Sequence, residues 1–209
     1  MKKIYLIIYA IALLASLDSN SQIIITRSND GTILPQNFQS TGEYYYKDVN
    51  NYLDWFVGTW EYVNGNEKFQ ITLTKVVEYH LINNYLNLNF YKDGIVLQYR
   101  TYLNNQLTFE SPSYENPDFY CEDGNLLSGR IMDYGRLTRT LYKDPFNTEV
   151  WIPGGTPMPT DCDITKHPLD NNKIKFSLNF FEGQRYDSQT YLGQPVHSIP
   201  NNIVLTKVN

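Results

Sequence analysis

Three histidines, His80, His167 and His197, are the first places to look for chemistry in this 209-residue chain. None stands at metal-ligand spacing from another. The one cluster of ligand types is Asp161-Cys162-Asp163 with His167. A zinc site wants more ligands of this kind, and a calcium loop wants an Asp/Asn-Gly pattern. The cluster therefore reads as a polar turn holding a disulfide rather than as a metal site. No Gly-x-Ser-x-Gly elbow, phosphate-cradling loop or zinc-protease helix motif occurs. Glu61, Glu78 and Glu149 are of the type that pairs in glycoside hydrolysis. Glu61 is better explained by Lys68 opposite it, and nothing marks the others. The expectation is a protein with no catalytic residues, no metal and no cofactor.

Two further residues carry chemistry of another kind. Cys121 and Cys162 would close a loop of about 40 residues, worth roughly 3–4 kcal/mol if unstrained. The alternative is two unpaired thiols, and their Cα separation decides between them. Arg139 is either an interior cation, able to bind a carboxylate or stack on Trp60, or an outward arginine in a slipped register.

The chain opens Met1-Lys2-Lys3, followed by an apolar run over 4–14 and a small, polar stretch to Ser21. Basic start, short apolar centre and small residues before a cut predict a secretory signal peptide over 1–21. The run is too short to span a bilayer comfortably. No cysteine lies at the predicted cleavage site, so the expectation is an exported protein, periplasmic or extracellular, without a lipid anchor. Export permits a disulfide. The net charge of −5, without basic runs, argues against nucleic acid and against an anionic membrane surface. No second apolar segment reaches spanning length.

What must position these residues is a set of strands. Residues 22–47 read as an arm ahead of the main domain, with an edge strand over 23–25 and a packed segment over 44–46. Asp48 looks like an N-cap for a short helical turn over 49–54. Residues 48–209 then form one domain. Asn64-Gly65 is a strong hairpin signal. With those two residues as the loop, Trp60 pairs with Phe69, Glu61 with Lys68, and Phe56 with Leu73. Apolar side chains then share one face and polar ones the other. A second hairpin is expected at Asp93-Gly94, pairing Phe90 with Leu97 and Leu88 with Tyr99. A third surrounds 133–135 and pairs Ile131 with Leu137. Further strands are expected at 106–110, 148–152, 173–181 and 202–208, with a long irregular connection over 153–170. Eight to ten such strands predict an all-β fold. The simplest closure is an antiparallel up-and-down barrel, and the rival is a β-sandwich.

Phe56-Val57-Gly58-Thr59-Trp60 resembles the Gly-x-Trp signature on the first strand of lipocalins. The resemblance implies a lipocalin-like barrel whose Trp60 closes the floor against a basic residue from the last strand, Lys207 or Arg139. The wider string from Tyr45-Tyr46-Lys47-Asp48 to Gly58-Thr59-Trp60 resembles a family of uncharacterised secreted proteins from Bacteroidetes-type bacteria, which lends no activity. Lining candidates for a ligand are Trp60, Phe69, Tyr99, Arg139 and Phe176. Strands of about eight residues give a wall roughly 20 Å high, and the inward set is bulky, so a mostly filled interior is expected. The expected partner is a small apolar or amphipathic molecule. The alternative is a filled barrel that serves as a protein-interaction or envelope-associated module.

Overall fold

The computed structural model describes residues 22–25, 37–111, 128–133, 136–142, 160–179, 190–191, 194–195 and 197–208. Among them the secondary structure is all β, with no helix. The strands are β1 (Ile23–Ile25), β2 (Tyr44–Tyr46), β3 (Gly58–Asn64), β4 (Glu67–Asn83), β5 (Leu88–Leu103), β6 (Gln106–Glu110) and β7 (Ser128–Asp133). They continue with β8 (Arg136–Tyr142), β9 (Thr160–Lys166), β10 (Lys173–Asn179), β11 (Thr190–Tyr191), β12 (Gln194–Pro195) and β13 (Ile203–Val208). The expected strand over 148–152, and Leu127 and Phe180, lie outside the described residues.

The chain divides into two compact units. The first comprises residues 1–47 and 80–91. In it β1 pairs with β2 in parallel, Ile24 opposite Tyr45, which makes the sheet mixed rather than purely antiparallel. The backbone N–H of Gly42 donates to Asn89 at 2.7 Å, and that of Asn89 to Gln39 at 2.6 Å. Phe38 packs edge-on against Phe90.

The second unit comprises 48–79 and 92–209. Its strands follow the hydrogen-bonded order β5-β4-β3-β13-β10-β9-β8-β7, with β6 on β5. β7 also pairs with β5, Ile95 opposite Gly129 and Val96 opposite Ser128. The apolar side chains of alternate positions share one face. Trp60, Phe69, Ile71, Ile174, Phe176 and Leu205 are all fully buried there. Burying each such side chain contributes about 1.5–3 kcal/mol. The opposite face is polar. Glu61 accepts from Gln70 at 3.2 Å and pairs with Lys68 at 3.6 Å, and the Lys68 ammonium lies 4.2 Å from the Tyr102 ring centre.

Four expectations are corrected. The first hairpin keeps its faces but not its register. Trp60 pairs with Ile71, Tyr62 with Phe69 and Glu61 with Gln70, two residues away from the expected alignment. Asn64 pairs with Glu67, so the loop is Gly65-Asn66. Gly65 has φ +62° while Asn66 has no positive φ, the pattern of a type II′ turn. A shift of two leaves every side chain on its own face.

The second correction concerns Asp93-Gly94, which lies inside β5. Gly94 is buried and has no positive φ. The carboxylate of Asp93 is instead spent on distant backbone, accepting from Asp48 N–H at 2.8 Å and Glu78 N–H at 2.9 Å. The reversal comes at 84–87, where Asn87 takes φ +55° and the Asn83 side chain accepts from Leu86 N–H at 3.0 Å. β4 and β5 are consequently 17 and 16 residues long, twice the expected length.

Third, no helix follows Asp48. Residues 51–57 make i→i+3 turns, with Phe56 N–H donating to Leu53 at 2.9 Å. Asn51 has φ +54°, which interrupts any right-handed run. Asp48 still caps, accepting from the Tyr52 and Leu53 N–H groups at 2.9 Å each. Fourth, Asp161-Cys162-Asp163 is no turn, because it lies in β9 paired with β10.

Candidate functional site

The site with the clearest construction is the inner face of the second unit, at the end marked by residues 53–60. Gly58, Trp60 and Lys207 define it. Trp60 pairs directly with Lys207 of β13. The Lys207 ammonium lies 5.1 Å from the Trp60 ring centre, within cation–π range. A Cβ on Gly58 would stand 2.9 Å from Cε of Lys207, and Gly58 has φ +128°. β3 thus supplies both the ring and the gap that admits the lysine stem. The indole N–H of Trp60 donates to the Phe56 carbonyl at 2.8 Å, tying the ring to the preceding turns.

Trp55, from those turns, lies 5.6 Å from Trp60 centre to centre. Lys166 of β9 places its ammonium 4.5 Å from the Trp55 ring centre and 5.9 Å from that of Phe56. Two lysines therefore stand over two adjacent indoles. Further along the same face, Phe69 touches Phe176 at 5.4 Å and Tyr99 at 5.9 Å between ring centres. Tyr99 in turn meets Phe109 at 5.3 Å.

Four of the five lining residues read from the sequence thus share one buried core: Trp60, Phe69, Tyr99 and Phe176. Arg139 lies in β8, where pairing with β9 slips between Leu137 and Thr140. Its side chain lies outside the described residues. Ile131 does pair with Leu137 as expected. Cys162 is fully buried opposite Leu178, and Cys121 lies outside the described residues. Strand alternation turns Cys162 inward and Asp163 to the other face, which separates the cluster once considered for a metal.

Three features were not read from the sequence. Lys166 was hidden because 153–170 looked irregular; the alternation Cys162, Ile164, Lys166 opposite 174–178 is the signal that would have exposed it. Trp55 belongs to the turns and has no period to betray it. The third is a polar network at the start of the unit. The Lys75 ammonium pairs with Asp54 at 2.5 Å and Asp48 at 3.3 Å, and Asp48 bonds onward to Asp93. Burial pushes the Lys75 pKa down, but the hydrogen bonds to Asp54 and Asp48 outweigh it, so the value lies above its ordinary 10.5.

The histidines are occupied locally. His80 stacks on Tyr91 at 4.1 Å with its Nε2 2.8 Å from Asn89 Oδ1. Nδ1 of His167 accepts from Leu169 N–H at 3.3 Å.

No curated protein and no solved structure matches the chain. A family of unknown function does match, and it covers almost the whole sequence. Over residues 1–208 the chain belongs to that family, DUF6705.

Proposed function

We propose that this protein is an exported, lipocalin-like barrel that binds a small apolar or amphipathic molecule against its inner face and performs no catalysis. The observation that carries the reading is the convergence of Trp60, Phe69, Tyr99 and Phe176 on one buried face, continued by the lysine-capped indoles. The pairing of β7 back onto β5 supports closure of the eight-strand path into a barrel, and closure removes exposed edges. The Gly58–Trp60–Lys207 arrangement supports the lipocalin likeness. Residues 1–21 act as the export signal. The test is titration of the purified chain with a fluorescent fatty acid. Saturable binding supports the reading, and its absence removes it.

A second reading, a protein-interaction or envelope-associated module, is favoured by one observation. In the first unit Ile23, Ile24, Ile82, Tyr85 and Leu86 are exposed, with Tyr85 95 % open. Exposed apolar side chains that form one patch mark interaction sites. Cell fractionation separates the readings. Co-sedimentation with the envelope that is lost in an Ile82→Ser/Tyr85→Ser variant favours the second, and release of the wild type as a free protein favours the first.

A further inference from the structure

We propose that Asn64-Gly65 is a self-modification site, where the Asn64 amide is lost through a succinimide and a carboxylate takes its place at the tip of the β3–β4 hairpin.

Asn64 is the only asparagine in the chain that glycine follows. The reaction needs the next peptide nitrogen to reach the side-chain carbon Cγ. Glycine, having no Cβ, leaves that approach uncrowded. A Cβ built on Gly65 would meet nothing within 4 Å, so the space around the turn is open. Asn64, Gly65 and Asn66 are all exposed, and water and hydroxide reach both reacting atoms. Among the described residues no hydrogen bond holds the Gly65 N–H. The Asn64 side chain is in none either, whereas those of Asn66 and Asn104 bond to each other at 3.1 Å. Asn64 is the last residue of β3 and forms the final pair of the ladder, with Glu67. Strand pairing therefore restrains it from one side only. Asn84 and Asn87 are exposed too, but the nitrogens that follow them belong to Tyr85 and Leu88, whose side chains crowd the attack.

The Gly65 nitrogen gives its proton to hydroxide and attacks Asn64 Cγ. A C–N bond forms, the amide nitrogen takes a proton from water and leaves as ammonia, and a five-membered succinimide remains. Water then opens the ring. Addition at Cγ gives aspartate at position 64. Addition at the backbone carbonyl gives isoaspartate, whose main chain runs through the side-chain carbon. Either route consumes one water and releases one ammonia, and no oxidant or reductant takes part.

The new carboxylate faces Glu67 across the strand pair, and like charges directly opposite destabilise such a pair. Beside it, the Asn66 carbonyl accepts from Asn104 N–H at 2.8 Å. That bond joins the hairpin to the turn between β5 and β6, and the modification loosens the join.

In the experiment the full chain is kept in mildly alkaline buffer at body temperature. Peptide mapping and an isoaspartate methyltransferase assay follow every asparagine. Conversion at position 64 is expected to run at least about tenfold faster than at any other asparagine, a barrier lower by about 1.4 kcal/mol. Isoaspartate appears among the products. Asn64→Gln, which would have to close a six-membered ring, abolishes methyl acceptance while leaving the turn glycine in place. In the converted chain the Asn104 N–H exchanges faster with deuterium. An intact position 64, equally fast conversion elsewhere, or methyl acceptance that persists in Asn64→Gln overturns the site. Unchanged exchange at Asn104 overturns the effect on the join.

Discussion

The ammonium of Lys207 stands over the indole of Trp60, its direct partner across β13 and β3, at 5.1 Å from the ring centre. β13 is thereby locked onto β3. Such a contact is worth about 0.5–2 kcal/mol, the upper end when water is excluded. Lys207→Met should lower unfolding stability by that amount in urea, and Lys207→Arg should preserve most of it. Equal stability of all three proteins would show that the contact contributes nothing.

Gly58 serves the same junction in two ways. Its φ of +128° is costly for any residue with a Cβ, and a Cβ would stand 2.9 Å from Lys207 Cε. The lysine stem can swing aside, so the backbone dominates. Gly58→Ala should cost about 1–3 kcal/mol and should keep most of that cost in a Lys207→Met background. A cost that disappears in the double variant would assign it to the lysine contact instead.

Asp93 and Glu78 form a second test. The Asp93 carboxylate accepts the N–H groups of Asp48 and Glu78, and bonds to a charged acceptor contribute about 1.5–3 kcal/mol. Asp93→Ala should therefore destabilise more than Asp93→Asn, which retains one oxygen acceptor. Glu78 sits at φ +56° within β4, a conformation costing about 1–2 kcal/mol for a residue with a Cβ. Glu78→Gly should consequently raise the urea midpoint. A lowered midpoint would mean that the Glu78 side chain matters more than its backbone.

The pH dependence follows from Lys75 and Asp170. The Lys75 pKa is raised in the folded protein, burial opposing and the Asp54 and Asp48 bonds prevailing. Its contribution is complete below 10.5, the ordinary value, and is lost as pH climbs through the raised one. Melting temperature should fall more steeply above that point in the wild type than in Lys75→Met. Asp170 behaves in the opposite sense. The Lys173 and Asn172 hydrogen bonds lower its pKa below 3.8, so its small, exposed contribution is lost only as pH falls through that region. Parallel alkaline profiles for wild type and Lys75→Met would contradict the assignment.

Much of the inner face was legible because alternation survives errors of register. Trp60 and Phe69 stayed on one side although the hairpin slid by two residues, since Gly65 rather than Asn64 took the first turn position. The Lys207 partnership followed from the likeness carried by Gly58 and Trp60. Asp93-Gly94 misled because a local turn signal cannot reveal that a carboxylate is claimed by Asp48, 45 residues away. The true reversal near Asn87 was masked by a chain rich in asparagine, where Asn loses its value as punctuation. Asn104 and Asn105 show the same residue at work, both at positive φ between β5 and β6.

The central claim, a ligand-binding inner face, is tested most directly by energy transfer from tryptophan to a dansyl fatty acid in a titration of the purified chain. Saturation at one molecule per chain is the predicted result. A signal that rises linearly without saturating would contradict it.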